Sequence, residues 1–530
     1  MRHFYDAPVC LDAMSFKKTT KGCEVTDERV KEAQDEIKVL NRLGYRQLLR
    51  RSMGLYSSFS LGFAAIAITV TVFTLFGQPF ETLGGVAIWM WIPITLGSLL
   101  IVLVWSHLVV RVPVTGYAYS WVSRIVNPSY GWFCGWTELA GWLIGTAAIA
   151  LSAAAVFSPY FWVTPTHHDE QVFAAVAIII GLIANIISVK VTSVVNNIGA
   201  SAELFGTLGL GLVMAVCLPF LGHVQGPKIL FQVGNTAHGP LTLSVFALAT
   251  LLPIYTISGW DASADLAEET HDPRRNIPKA MRRSVIAGGV GGFLLFAIYS
   301  MAIRGSVKSL VGGTTNPLIA VIESHFGHNS QYFIVVIAGF AMFSALLANI
   351  AAAGRVAYSL GRDNMLPASK AWSYVNKTTR TPIYSLIAVA VFAELANLAS
   401  AGVVNNIIAA VSVVFAAIYG FVLIGVLYAH KKGRIPAAEP GYFDLGRWLV
   451  PVSITALCYA IVVALMMTLP AVNHVAGKYF LVVEGVGVLW FLVLLRSRLH
   501  RGKAGPGFER SVGVDESVQI EIGLAEGDHV

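Results

Sequence analysis

The sequence predicts an all-α polytopic membrane protein of about twelve transmembrane helices, and three observations predict it. Of 530 residues, 55% are hydrophobic and 13% charged, whereas an ordinary soluble chain has about 45–50% and about 25%. The apolar residues come in blocks of about 20, the length of helix that crosses the hydrocarbon core of a bilayer. Lysines and arginines gather in every second connection between those blocks, as they do in the short loops on one side of a membrane. A soluble protein is excluded, and no length remains for a large globular domain outside the membrane.

The chain opens with a polar tail in which Val30, Ala33, Ile37 and Leu40 lie at helical spacing, predicting a short amphipathic helix over Asp27 to Leu43. No short apolar core with a small-residue cleavage site begins the chain, so the first span is expected to stay as a signal anchor. The apolar blocks run approximately Met53 to Phe76, Gly84 to Val110, Gly131 to Phe157, Val172 to Val189, Val194 to Leu221 and Leu241 to Leu266. A second set runs approximately Val285 to Ile303, Tyr332 to Leu360, Ile383 to Ser400, Val403 to Tyr428, Leu449 to Leu469 and Tyr479 to Leu495. Small-residue pairs at i and i+4, namely Gly131/Gly135, Gly141/Gly145 and Gly288/Gly292, mark faces where helices approach closely. The chain closes on a tail that is glycine-rich and then acidic, with Asp515, Glu516, Glu521, Glu526 and Asp528, a composition that favours disorder.

One set of connections carries Arg42, Arg46, Arg50 and Arg51, then Arg111 and Arg124, Lys190, the cluster from Arg274 to Arg283, that from Arg355 to Arg380, Lys431 to Arg447, and finally Arg496 to Lys503. The opposite set carries only Lys228, Arg304, Lys308 and Lys478. Both termini are therefore expected in the cytoplasm, of a protein in the plasma membrane, and the net charge of +7 is a matter of topology. It does not indicate nucleic acid, because no basic run with interleaved aromatics occurs.

Other chemistries find little support. The five cysteines (Cys10, Cys23, Cys134, Cys217, Cys458) form no CxxC and no disulfide framework. His167-His168-Asp169-Glu170 lacks the spacing of a metal site. The glycine runs Gly206 to Gly211 and Gly288 to Gly292 lie inside spans, follow no strand, and are no nucleotide loops. Without a Walker sequence, an ATP-driven pump is disfavoured; no cofactor and no enzymatic constellation is expected.

Function is sought first among ionisable residues inside spans, which are costly there and usually face a bundle interior or an aqueous path. They are Glu138 in the third span, Glu203 in the fifth, Asp261 and Asp265 in the sixth, and Glu394 in the ninth. The sixth span reads Pro253-Ile254-Tyr255-Thr256-Ile257-Ser258-Gly259-Trp260-Asp261-Ala262-Ser263, the composition of a helix broken at mid-membrane. Backbone freed from a helix is tolerated at that depth where it lines a cavity, and it then supplies ligands for a zwitterion.

The stretch from Gly259 to Thr270, with Asp272-Pro273-Arg274-Arg275-Asn276-Ile277-Pro278-Lys279-Ala280, closely resembles a signature of the amino acid, polyamine and organocation (APC) permeases. So do Arg355-Val356-Ala357-Tyr358-Ser359-Leu360-Gly361-Arg362-Asp363-Asn364-Met365-Leu366-Pro367 and Pro113-Val114-Thr115-Gly116-Tyr117-Ala118-Tyr119; Trp260-Asp261-Ala262-Ser263 looks most like the branch of amino acid, gamma-aminobutyrate and choline permeases. The resemblance implies a LeuT-like five-plus-five inverted repeat with helices 1 and 6 broken. It divides the chain into a tail (1–50), a first repeat (51–222), a second repeat (240–430), peripheral helices 11 and 12 (447–497) and a C-terminal tail (498–530).

The same resemblance implies a substrate carboxylate at the amides of the first span, from Ala65, Ile66, Ala67, Ile68 and Thr69 to Thr71. It places the substrate amine at carbonyls around Tyr255, Thr256 and Ser258, next to Gly259, with Trp260 as a gate and Asp261 as a cation contact or proton site. The first span lacks the central glycines many relatives carry, and Glu203 stands where relatives often have a lysine or histidine. Glu203 and Asp261 are the coupling candidates. Glu268, Glu269, Arg274, Arg355, Arg362 and Asp363 resemble an inner gate network. The expected function is a secondary transporter that imports an amino acid or a related amine such as gamma-aminobutyrate by proton symport and alternating access. A choline or polyamine transporter, an amino acid exchanger and a transport-derived sensor are the alternatives.

Overall fold

A computed structural model describes residues 34–234, 242–313, 315–399 and 404–507. The described residues make twelve helical passes. Ten are helices long and apolar enough to cross a membrane, and the sixth and ninth passes are the shorter Leu243–Thr256 and Ile383–Leu398. The apolar blocks thus become a multi-pass membrane bundle. Tyr117–Ile125 forms a helix between the second and third spans. The seventh helix starts at Pro273 rather than Val285, since Pro273 sits at the first turn where its missing N–H costs nothing. The second span is entered through a tight turn of helix, Gly85–Met90.

Within the N-terminal amphipathic segment, residues 34–42 are helical and end before Gly44; its remainder, like Cys10, Cys23 and the acidic tail beyond residue 507, lies outside the described residues. His167 and His168 begin the fourth span, where Thr166 and Asp169 cap its first turn reciprocally. That capping box, not a metal, accounts for the polar cluster.

Burial is graded across the bundle. The first span is 89% buried over its apolar window and the twelfth 11%, which separates a core set from a peripheral one. The fourth, fifth, eleventh and twelfth spans turn residues such as Ile183, Val213, Ile461 and Leu489 outward, an apolar belt suited to lipid.

Two spans are broken, the first and the sixth. The first consists of Leu55–Ile66 and Ile68–Leu75, joined at Ala67 with φ 55° and ψ 50°. The sixth consists of Leu243–Thr256 and Ala262–Asp265, joined by an irregular stretch containing Gly259 at φ 88°. Composition accounts for the sixth: Pro253, inside its first segment, cannot donate to the preceding turn and weakens the helix before its end at Thr256, and Gly259 tolerates a left-handed backbone. The first has no such residues, and an alanine in the left-handed region costs about 1–2 kcal/mol. Its break is held from outside, by a carboxylate from the fifth span described below.

Candidate functional site

The two breaks meet. Gly259 lies so close to the first span that a Cβ built on it would sit 2.7 Å from the carbonyl oxygen of Ala65. Beside this contact is a cavity lined by Ala65, Ile66, Ala67, Tyr255, Ser258 and Gly259 from the breaks. The third, eighth and tenth spans complete it with Trp142, Gly145, Ile149, Asn349, Val411 and Phe415. Gly145 makes room for the side chain of Asn349, whose Oδ1 would lie 2.9 Å from any Cβ there. The Asn349 amide nitrogen donates to the Ala345 carbonyl at 3.0 Å, which turns its oxygen away from its own helix. The Tyr255 hydroxyl is buried without a recorded partner. A zwitterion placed here meets backbone dipoles, an amide oxygen and two hydroxyls.

Glu203 is fixed by a local irregularity of the fifth span. A wide π-helical segment, Ala202–Thr207, interrupts the helix, and such insertions re-aim side chains at functional positions. Glu203, 1% exposed, accepts the Thr69 backbone N–H on Oε1 at 2.7 Å. Thr69 is the second residue of the restarted first span, so the carboxylate occupies the anion position at a helix N-terminus, where free amides and the dipole favour negative charge. The Thr69 hydroxyl donates to Thr207 at 3.2 Å and secures the same contact.

Behind the sixth-span break, Asp261, Asp265 and Glu138 are all fully buried. Asp261 accepts the Tyr117 hydroxyl, and among the described residues none of the three carboxyls is paired with a cation. Trp260 is fully buried too, stacked on Tyr419 at 5.6 Å and edge-on to Trp105 at 6.1 Å.

At the end of the bundle where both described termini lie, charged residues form two buried ion pairs. Arg355 makes a two-pronged bond to Glu269, at 2.8 and 3.1 Å, and Arg362 reaches Glu268 at 2.9 Å; all four are buried. Asp363 accepts the hydroxyls of Tyr45 at 2.6 Å and Tyr119 at 2.7 Å. Tyr45 lies against the Arg362 guanidinium at 3.6 Å, and burial pushes its phenol pKa well up, so it stays a neutral donor. The backbone of Ser52 and Met53 donates to the Glu269 carbonyl at 3.0 Å. The N-terminal segment is thus a strap beneath the two ion pairs.

A family model described as amino acid permease matches residues 53–493, from the strap to the end of the twelfth span. The chain belongs to the amino acid permease family. It is similar to the amino-acid permease BAT1 of Arabidopsis thaliana, 24% identical over 465 residues that cover 83% of this chain and 89% of that one. It is also similar to amino-acid permease 2 of Neurospora crassa, 22% identical over 511 residues covering 92% of each. An uncharacterized amino-acid permease of Schizosaccharomyces pombe is 25% identical over 521 residues, 93% of this chain and 94% of that one. The family is one of transporters, not enzymes.

In this permease six of the expected substrate residues line the cavity: Ala65, Ile66, Ala67, Tyr255, Ser258 and Gly259. The others do not. Ile68 and Thr69 lie inside the restarted helix, Thr256 turns its hydroxyl to the Leu252 carbonyl at 2.7 Å, and Trp260 and Asp261 sit behind the break. Among the gate candidates Arg274 stands apart, bonded to Glu439 at 2.7 Å and packed on Tyr442. Glu394 is engaged by Asn397 at 3.1 Å, away from the cavity. Asn349, Trp142, Gly145 and Phe415 are cavity residues that a search for ionisable groups passes over. An amide in the otherwise apolar eighth block was the available signal for Asn349.

Gly259→Ala tests the meeting of the two breaks. It adds a Cβ where φ is 88° and the Ala65 carbonyl blocks the space, at about 1–3 kcal/mol of backbone strain. Uptake by reconstituted permease is expected to fall about tenfold, the change that 1.4 kcal/mol of lost substrate binding produces. Equal uptake and an equal melting temperature would show that the break does not shape the site.

Proposed function

We propose that the permease is a secondary active transporter that imports an amino acid, or a related amine such as gamma-aminobutyrate, by proton symport with alternating access. In this reading residues 51–222 and 240–430 form the two inverted repeats, the last two spans are peripheral, and both termini face the cytoplasm of a plasma-membrane protein. The substrate lies between the broken helices, its amine toward carbonyls of the sixth-span stretch around Tyr255 to Ser258 and its carboxylate toward amides at Ala65 to Thr69. Glu268, Glu269, Arg355, Arg362 and Asp363 hold the cytoplasmic side shut, and Arg274 steadies its rim.

The observation that carries proton coupling is the bond from the Thr69 amide to Glu203, 2.7 Å long. An ionised Glu203 already fills the anion position that a substrate carboxylate needs. A proton on Glu203 removes that charge, weakens the bond from a charge-assisted to a neutral one, and leaves the helix end able to accept the substrate. Substrate and proton then bind together and are released together, which is symport. Asp261, buried with the Tyr117 hydroxyl on its carboxyl, is the second carrier candidate.

The test is uptake of labelled amino acids, gamma-aminobutyrate, choline and putrescine into proteoliposomes with and without an inward proton gradient. Gradient-dependent accumulation of an amino acid or gamma-aminobutyrate is expected. Exchange that ignores the gradient would make the protein an antiporter, and accumulation of choline or putrescine alone would overturn the substrate class.

A further inference from the structure

A second cavity lies beside the first along the sixth span, and Ser258 and Phe415 line both. Its far wall comes from the eleventh span, through Tyr459, Ala460 and Val463. A helix expected to be peripheral therefore borders the core of the site. Most hydroxyls around this chamber are engaged, that of Ser98 lying 3.4 Å from that of Tyr459, while the Tyr419 hydroxyl is buried without a partner among the described residues. Tyr459 donates to the Ile94 carbonyl at 3.2 Å, Ser412 to that of Ile408 at 3.0 Å, and Ser258 to that of Ile254 at 2.7 Å. What faces the space is otherwise hydrocarbon.

Neither cavity is lined by an Asp, Glu, Lys, Arg or His among the described residues. Trp260 and Tyr419 stand between Asp261 and the chamber. A second ammonium, a guanidinium or an extra carboxylate on the cargo would be buried in either space without a counter-charge, which costs several kcal/mol. The α-amine and α-carboxylate escape this cost because they meet the freed backbone at the breaks, of which the first-span part, Ala65 to Ala67, lines the first cavity and not the second.

Resting on the amino acid permease reading above, we propose that the second cavity is the chamber for the substrate's side chain, and that the transported substrate is a zwitterion whose side chain carries no charge. Phe415 and Ser258 form the sill between head-group and side-chain spaces, and the eleventh span sets how large a side chain fits.

The experiment is competition and direct uptake in proteoliposomes, with glycine, leucine, phenylalanine, lysine, arginine, glutamate, putrescine and choline as probes. Leucine and phenylalanine are expected to be transported, and each charged compound to be at least about tenfold poorer, the scale on which pocket contacts discriminate. Ala460→Phe, which fills the chamber, is expected to lower the leucine-to-glycine uptake ratio about tenfold, and Val463→Ala, which enlarges it, to raise that ratio. Transport of lysine or glutamate as good as that of leucine overturns the neutral-side-chain proposal while leaving the permease reading intact. The chamber assignment falls if both variants reach the membrane folded and keep the wild-type ratio. No uptake of any amino acid overturns the permease reading and this proposal with it.

Discussion

Glu203→Gln is expected to abolish concentrative uptake while sparing exchange. In proteoliposomes with an inward proton gradient the variant should equilibrate its substrate rather than accumulate it. Counterflow, in which labelled substrate enters against unlabelled substrate already inside, should remain within about an order of magnitude of wild type. The reason is local. The glutamine keeps an acceptor for the Thr69 amide, so the break in the first span at Ala67 keeps its support, but it has no site for a proton. A neutral group at the helix end no longer competes as an anion with the substrate carboxylate, so binding loses its dependence on protonation.

A Glu203→Ala variant separates coupling from support. It removes the only side chain recorded on the Thr69 amide, and an absent cap costs about 0.5–2 kcal/mol. The alanine variant should therefore lose both accumulation and thermal stability, where the glutamine variant loses accumulation alone. If Glu203→Gln still accumulates substrate in proportion to the gradient, the proton is carried elsewhere and Asp261 becomes the residue to replace.

How far the sequence could be read depended on which force acted. The spans were legible because the bilayer demands long apolar helices, and the break in the sixth span was legible because Pro253 weakens the helix before it and Gly259 accepts the left-handed backbone within it. The break in the first span is a tertiary effect. Nothing in Gly62-Phe63-Ala64-Ala65-Ile66-Ala67-Ile68 marks Ala67 as left-handed, and the carboxylate that fixes it arrives from 134 residues away. The acidic residues of the gate could be named from their motif, whereas Tyr45 and Tyr119, which bond Asp363, belong to segments with no sign of that role. Half of the cavity wall was silent for a similar reason: Trp142, Val411 and Phe415 are ordinary membrane residues until the helices are packed.

The second large effect concerns the gate. Arg355→Ala is expected to destabilise the permease by about 3–5 kcal/mol, because it leaves Glu269 buried and ionised without its partner. Glu269 is 0% and Arg355 1% exposed, so water cannot screen the orphaned charge. Replacing both residues with methionine removes both charges and keeps similar volume, and buried ion pairs exchanged in this way are often neutral in stability. The double variant should therefore melt near the wild-type temperature and the single variant well below it. Transport should separate them differently. Opening this end hydrates Arg355 and Glu269 and so offsets the loss of their bond, whereas two methionines gain nothing from water and hold the end shut. A stable double variant with slowed exchange is the expected result, and equal melting temperatures for the single and double variants would show that the pair is not buried in the state that predominates. A fast double variant would mean that some other contact, with the Tyr45 strap the first to examine, sets the barrier to opening.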